Sequence, residues 1–109
     1  MKELTKAEQQ VMYHIWELKK SFLKDIVEAF PEPRPAYTTI STVIRVLVKK
    51  GFVGYNTYGK IHEYFAEISR QSYFKTHVKS LINNHFDGSA VSFASFFTAI
   101  VISILKEQG

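Results

Sequence analysis

The chain has 109 residues, a formal net charge of +4 and no cysteine. This length fits one domain, or one small domain with an appendage, and the lack of cysteine excludes disulfides, cysteine zinc sites, iron–sulfur clusters and thiol catalysis. Apolar residues make up 46% of the chain and charged residues 22%, which excludes a disordered tail. No N-terminal stretch has the pattern of a signal peptide, so the expected location is cytoplasmic.

The first third of the chain predicts two helices. Thr5 and Glu8 form a capping box, and the apolar residues that follow recur at helical spacing, which predicts a helix at about 5–20. Residues 21–23 are expected to be a short link, and residues 24–30 a second, short helix. Three prolines then exclude regular structure, because each fixes φ and removes a backbone donor. They are Pro31, Pro33 and Pro35.

The remaining elements are a helix, a hairpin and two more helices. A helix is predicted at about 37–50, with one apolar face and one face of hydroxyl and basic side chains. Residues 53–68 alternate on either side of the turn Tyr58-Gly59-Lys60, which predicts a β-hairpin. Further helices are predicted at about 69–84 and at 89–107.

The order helix, helix, proline-rich turn, helix, hairpin is that of a winged helix-turn-helix. The predicted fold class is therefore mainly α with a small β-hairpin wing. The winged-helix DNA-binding domain is expected at residues 1–69, and a C-terminal helical dimerisation segment at residues 70–109. In such a fold the third helix enters the major groove and the hairpin tip reaches the backbone or the minor groove.

The excess positive charge is confined to the middle of the chain. Residues 31–62 carry a net charge of +4, and the segments on either side are neutral. Such a local excess favours a polyanionic partner, although a solvated basic face is the alternative. Short hydroxyl side chains at the start of the third helix allow close approach to DNA. Arg45 is placed to reach a phosphate or a guanine, and Lys60 to reach a phosphate.

The tail has an uncharged stretch of 17 residues, from Ser89 to Leu105. This length is at the lower limit for a membrane span, and five hydroxyl side chains interrupt it. Stable membrane insertion is therefore not predicted. A single small domain cannot cover such a helix, whereas a second copy of the chain can, so a homodimer is favoured over an intrachain core. The predicted dimer interface consists of Phe93, Phe96, Phe97, Ile100, Val101 and Ile104.

Several segments carry a resemblance to a known family. Residues 36–53, from Ala36 to Val53, resemble the recognition helix of the penicillinase repressor family, which includes the methicillin-resistance and copper-responsive repressors. Residues 4–8 with Met12, Ile15 and Trp16 are similar to the first helix of that family, and Tyr64 and the stretch Asp87-Gly88-Ser89 also match. The resemblance covers about residues 1–90.

This resemblance implies a dimeric repressor that binds a palindromic double-stranded DNA operator. The DNA contacts of the family fall on Thr38, Thr39 and Thr42, and more loosely on the wing tip. The antibiotic-responsive members are inactivated by a regulatory protease at an Asn–Phe bond, and the matching bond here is Ser95-Phe96. The copper-responsive members carry paired cysteines, which this chain lacks. The full set of predicted DNA-binding residues is Tyr37, Thr38, Thr39, Ser41, Thr42, Arg45, Tyr58 and Lys60.

No pattern in the chain predicts a cofactor, a metal or catalysis. The four histidines have no ligand-like spacing, and there is no glycine-rich phosphate loop or nucleophile elbow. Three hypotheses for the function remain. The first is a DNA-binding transcriptional repressor. The second is a winged-helix module that binds protein rather than DNA, and the basic residues of the third helix argue against it. The third is a small enzyme, for which the chain has no assembled catalytic set.

Overall fold

The computed structural model of the protein describes residues 3–108 and places five helices and three strands in that range. The predicted fold class, a mainly helical winged helix followed by a C-terminal helical segment, is confirmed. In chain order the elements are α1 (Lys6–Leu18), β1 (Lys20–Phe22), α2 (Leu23–Ala29), α3 (Tyr37–Lys49), β2 (Val53–Tyr58), β3 (Ile61–Ala66), α4 (Arg70–His85) and α5 (Ala90–Gln108).

The chain divides into two compact units, residues 1–70 and residues 71–109. The first unit contains the helices α1, α2 and α3 together with the sheet. The functional assignment of the predicted domains, DNA binding for residues 1–69 and dimerisation for residues 70–109, stays a prediction.

Strand β1 corrects the expectation that residues 21–23 form a link. The three strands form an antiparallel sheet in the order β1-β3-β2, in which Ser21 lies opposite Tyr64. The hairpin strands pair as predicted, from Val53 opposite Ala66 to Tyr58 opposite Ile61. Three residues are too few to show strand alternation. Pairing with a distant strand therefore makes β1 extended.

The core of the first unit comes from the apolar faces of its three helices and from the entry to the wing. The capping box at the start of α1 is present, since the Glu8 N–H donates to Thr5 Oγ1 at 3.2 Å and the Thr5 N–H donates to Glu8 Oε1 at 2.8 Å. On α3, Ile40, Ile44 and Leu47 are buried as the helical spacing predicts. The largest fully buried side chains of the described chain are Met12, Ile15, Ile26, Ile40, Ile44, Leu47 and Phe52.

A buried ion pair joins the start of α1 to the end of α3. The Lys50 ammonium donates to both carboxylate oxygens of Glu8, at 2.8 and 2.9 Å. Burial raises the pKa of Glu8, but the Lys50 ammonium and the hydrogen bonds from Thr5 outweigh it, and the pKa lies below its usual value. Lys50 is therefore a structural cation rather than a free one.

The end of the first unit is held on the outer face of α1. Trp16 Nε1 donates to the Ile68 carbonyl oxygen at 2.9 Å. The Arg70 guanidinium pairs with Glu17 at 2.7 Å and lies over the rings of Tyr13 and Trp16, at 5.6 and 5.7 Å from their centroids. These contacts combine a charge pair with cation–π attraction. They fix the residues from which α4 begins.

The second unit contains most of α4 and the long apolar helix α5. Phe86 contacts Phe93 and Phe96, with ring centroids 5.4 and 5.3 Å apart, and Phe93 stacks on Phe97 at 5.8 Å. No residue of α5 is buried. By length and composition alone, α5 also qualifies as a membrane span, with a hydropathy of 1.6, and one such helix is weak evidence for a membrane.

Candidate nucleic-acid interface

Helix α3 presents a polar face whose side chains point away from the core. Thr38, Thr39, Thr42 and Arg45 are exposed, and Ser41 is half-buried. Because the buried residues of α3 lie on the opposite face, its exposed face is free to enter a groove. The structure thus places the predicted recognition side chains on one accessible surface.

The hydroxyl of Thr42 already has a partner within the helix. Thr42 Oγ1 donates to the Thr38 carbonyl oxygen at 2.9 Å, so its proton is not available to a ligand. Its oxygen lone pairs and its methyl group remain available, since a hydroxyl has two acceptor positions. Thr42 can therefore accept from a base amino group or pack against the methyl group of a thymine.

The wing ends in a tight turn that exposes the remaining predicted contacts. Gly59 has a φ of +62°, a left-handed conformation that favours glycine. Tyr58 and Lys60 on either side of it are exposed. The ring of Tyr58 lies 6.4 Å from that of Phe22 on β1, measured between centroids. Contact with β1 thus supports one side of the wing tip.

An aromatic cluster on the wing faces α3 and was missed by the sequence analysis. The ring centroid of His62 lies 4.2 Å from that of Tyr55 and 6.0 Å from that of Tyr64. His62 Nδ1 also lies 3.2 Å from Thr57 Oγ1. The strand register brings these side chains together, since Tyr55 is opposite Tyr64 and Thr57 is opposite His62. The alternation of the hairpin residues is the sequence signal that marks this cluster.

Two cavities separate the wing from α3. The smaller, of about 330 Å³, is lined by Ser41 and Arg45 of α3 and by the aromatic cluster. The larger, of about 460 Å³, is lined among others by Tyr37 and Lys60. His62 and Tyr64 line both cavities, so the α3 residues Tyr37, Ser41 and Arg45 lie beside the wing.

Tyr64 contributes to both cavities and keeps its proton. Burial raises the pKa of Tyr64, and the neighbouring hydroxyl groups of Tyr55 and Tyr37 raise it further, against the opposing effect of Arg45. Its hydroxyl is therefore a neutral group that can both donate and accept a hydrogen bond at physiological pH.

The structure divides the basic residues of the middle segment into two groups. Arg34 donates to the Phe30 carbonyl oxygen at 2.9 Å and pairs with Glu32 at 3.1 Å, and Lys50 is bound to Glu8 as described above. Arg34 and Lys50 therefore stabilise the fold. Three cations remain that form no ion pair with any residue between 3 and 108. They are Arg45, Lys49 and Lys60.

Lys24 is a further cation that forms no ion pair among the described residues, and no sequence pattern marked it. It is exposed near the start of α2 and lines the larger cavity with Lys60. Its charge was hidden because residues 1–30 are neutral in sum. Only the fold brings Lys24 to the wing.

Within residues 3–108, no group of three or more histidine and carboxylate side chains is arranged to hold a metal ion.

The predicted dimer-interface residues are all accessible to solvent in the single chain. Phe93 is half-buried, and Phe96, Phe97, Ile100, Val101 and Ile104 are exposed.

The three-helix unit, the three-stranded sheet and the exposed polar helix beside a wing define a winged helix-turn-helix protein. The penicillinase repressor family matches residues 4–103, and the chain belongs to this family. The resemblance found in the sequence is thereby confirmed. The family is one of regulatory repressors rather than enzymes, and by membership the chain is a DNA-binding transcriptional repressor.

The chain is also similar to named regulatory proteins from two bacterial species. It is 27% identical over 107 residues to the methicillin resistance regulatory protein MecI of Mammaliicoccus sciuri, an alignment that covers 97% of this chain and 81% of that protein. It is 26% identical over 107 residues to MecI of Staphylococcus aureus (strain N315), with the same coverage of both chains.

Proposed function

We propose that the protein is a dimeric repressor that binds a palindromic operator through α3 and the wing. The observation that carries this proposal is the exposure of the α3 hydroxyls and Arg45 on the polar face of α3, together with an exposed Lys60 at the tip of the wing. Membership in a repressor family supports DNA as the partner. The role of each side chain follows from its chemistry: hydroxyls and Arg45 at base edges, and lysines at phosphates.

The C-terminal tail supplies the surface that binds a second copy of the chain. Helix α5 has 19 residues and none of them is buried in the single chain. Covering its apolar side chains in a two-fold interface removes that surface from water, which is the main favourable contribution to association. A dimer places two recognition helices on half-sites one or more helical turns apart. Linking the two DNA-binding units also raises the effective concentration of the second one on the operator.

The proposal that a regulatory protease cleaves the chain rests on the family resemblance alone. The bond that matches the cleaved bond of the antibiotic-responsive members, Ser95-Phe96, lies inside α5, and both side chains are exposed in the single chain. An interface on α5 would cover this bond, so cleavage and dimerisation would compete.

A mobility-shift titration tests the proposal. The full chain is titrated against duplex fragments from upstream of its own coding sequence, and against scrambled duplexes of equal length. If each protomer neutralises about three to four phosphates, log K against log[salt] falls with a slope of roughly −5 to −7 for the dimer. Equal affinity for native and scrambled duplexes refutes sequence-specific binding, and a slope near zero refutes phosphate neutralisation as the source of the affinity. No binding to any duplex would favour a module that binds protein.

A further inference from the structure

The larger cavity beside α3 has a composition that DNA binding alone does not explain. It has a volume of about 460 Å³, and we name it the wing cavity. It lies where the end of β1, the start of α2, the first residue of α3 and the wing tip meet. Its walls include Phe22, Leu23, Lys24, Tyr37, Lys60 and Ile61. Cavities of roughly 300–1,000 Å³ are the usual size of small-molecule sites.

The wing cavity combines two free cations with an apolar wall. Neither Lys24 nor Lys60 forms an ion pair with any residue that the structure describes. Asp25, the carboxylate in the same wall, accepts a hydrogen bond from the Phe22 N–H at 2.9 Å and so has a local partner. An anion entering the cavity therefore meets two lysines without an ion pair among the described residues, opposed by the single carboxylate of Asp25, which leaves the lining with an excess of one positive charge.

The apolar wall is the feature that a DNA phosphate leaves unused. Ile61 is 56% exposed at the wing tip, and Leu23 is half-buried. A phosphodiester contacts lysines and hydroxyls, and it gains nothing from contact with leucine or isoleucine. A molecule with a flat apolar body and one carboxylate uses both halves of the cavity, because it buries apolar area and pairs with ammonium groups.

We infer that the wing cavity binds small aromatic carboxylates, and that this binding opposes DNA binding. The second half of the inference rests on the proposed function. Tyr37 and Lys60 belong both to the cavity and to the proposed DNA surface. A bound carboxylate cancels the excess positive charge of the lining and occupies the space beside the first residue of α3. DNA phosphates then lose their partners on that side of the interface.

Direct binding is measured on the full chain by NMR with three probes. These are 2-naphthoate, the neutral 2-naphthalenemethanol of the same shape, and acetate, which has the charge without the ring. We expect 2-naphthoate to bind with a dissociation constant of about 1 mM, and the other two more weakly. The shifted resonances should be those of Leu23, Tyr37 and Ile61. Shifts confined to α5, which also exposes apolar side chains, overturn the inference.

Matched variants separate the contribution of charge from that of the apolar wall. Lys24→Met is expected to weaken 2-naphthoate about threefold, and Lys24→Met with Lys60→Met about tenfold, which corresponds to about 0.7 kcal/mol per exposed pair. The neutral alcohol should be unaffected by either. Ile61→Ser should weaken both ring compounds equally. Lys6→Met, at an exposed lysine of α1 outside the cavity, is the control. Equal weakening by Lys6→Met and Lys24→Met refutes the site.

Competition with DNA is measured by fluorescence anisotropy on the promoter duplex. The proposed dimer has two cavities, and a ligand in either one opposes DNA binding. The affinity for DNA should therefore fall about fourfold at a 2-naphthoate concentration equal to its dissociation constant, and about a hundredfold at ten times that concentration. Sodium acetate at equal ionic strength is the control for salt screening. Binding of 2-naphthoate in the cavity without any loss of DNA affinity overturns the antagonism. If the chain binds no DNA at all, the proposed function fails, while the NMR shifts still decide whether the cavity is a ligand site.

Discussion

Two adjacent lysines at the end of α3 are predicted to have opposite roles. Lys49 is exposed and forms no ion pair with any described residue, whereas Lys50 is bound to the buried carboxylate of Glu8. We expect Lys50→Met to destabilise the fold and to leave the salt dependence of DNA binding unchanged. We expect Lys49→Met to leave the stability unchanged and to lower the magnitude of the salt slope by about one per protomer.

The magnitude for Lys50→Met follows from the burial of the pair. Glu8 is 5% exposed, and the side chain of Lys50 is 22% exposed. Removing one partner of a fully buried pair costs roughly 3–5 kcal/mol, because a charge is left buried without its counterion. Water reaches Lys50 here, and Thr5 still donates to the carboxylate. The expected loss is therefore about 2–3 kcal/mol. The double variant Glu8→Gln, Lys50→Met should recover most of it, since no unpaired charge then remains.

The assay is urea unfolding at a fixed protomer concentration, because dimerisation makes the apparent stability depend on concentration. With a slope of about 1.5 kcal/mol per molar urea, the midpoint of Lys50→Met should fall by about 1–2 M. An unchanged midpoint in Lys50→Met would refute the structural role of the pair. A salt slope that falls equally in both variants would refute the division of roles.

The same pair predicts a pH dependence with a definite sign. Because the folded-state pKa of Glu8 lies below its unfolded value, the ionised carboxylate stabilises the fold above the unfolded pKa of about 4.3. That contribution is lost as the pH falls through the folded-state pKa. In Lys50→Met, burial acts without the ammonium, so Glu8 takes up a proton more easily. The difference in stability between wild type and Lys50→Met should therefore shrink below about pH 4.

The remaining predictions concern specificity, assembly and the wing. Thr42→Val keeps the methyl group and loses the acceptor, so it should change the ranking of operator variants. Lys60→Ala should weaken all variants about equally, and uniform weakening by both substitutions would contradict these roles. Phe97→Glu places a charge in the proposed interface and should sediment as a 12.6 kDa monomer; a wild-type monomer at tens of micromolar would refute the interface. A Cβ on Gly54 would overlap the Glu67 carboxylate and lie 2.8–2.9 Å from the Phe65 ring. Gly54→Ala should therefore lower the free energy of unfolding by about 1–3 kcal/mol, measured by chemical denaturation. Asn56→Ala, at an exposed neighbouring position, should lower it by under about 0.5 kcal/mol.

The proposed DNA surface was partly predictable from the sequence. The hydroxyl face of α3 and the cation at the wing tip follow from helical spacing and from a turn, both of which are short-range patterns. The cluster of Tyr55, His62 and Tyr64 depends on the pairing of two strands, and Lys24 reaches the wing only through the fold. Composition also overstated the free charge, because it counts Lys50 with the cations that face solvent.

The sequence by itself determined the local elements of this protein and their order. The capping box at Thr5, the apolar stripe of α3 and the glycine turn of the wing are decided within a few residues, so their patterns are visible without the fold. Tertiary structure alone decided which distant groups meet. Ser21 pairs across the sheet with Tyr64. Glu8 accepts hydrogen bonds from Lys50, 42 positions away, and Trp16 donates to the Ile68 carbonyl oxygen, 52 positions away. Such contacts depend on the packing of whole helices and strands, and no periodicity in a single segment encodes them.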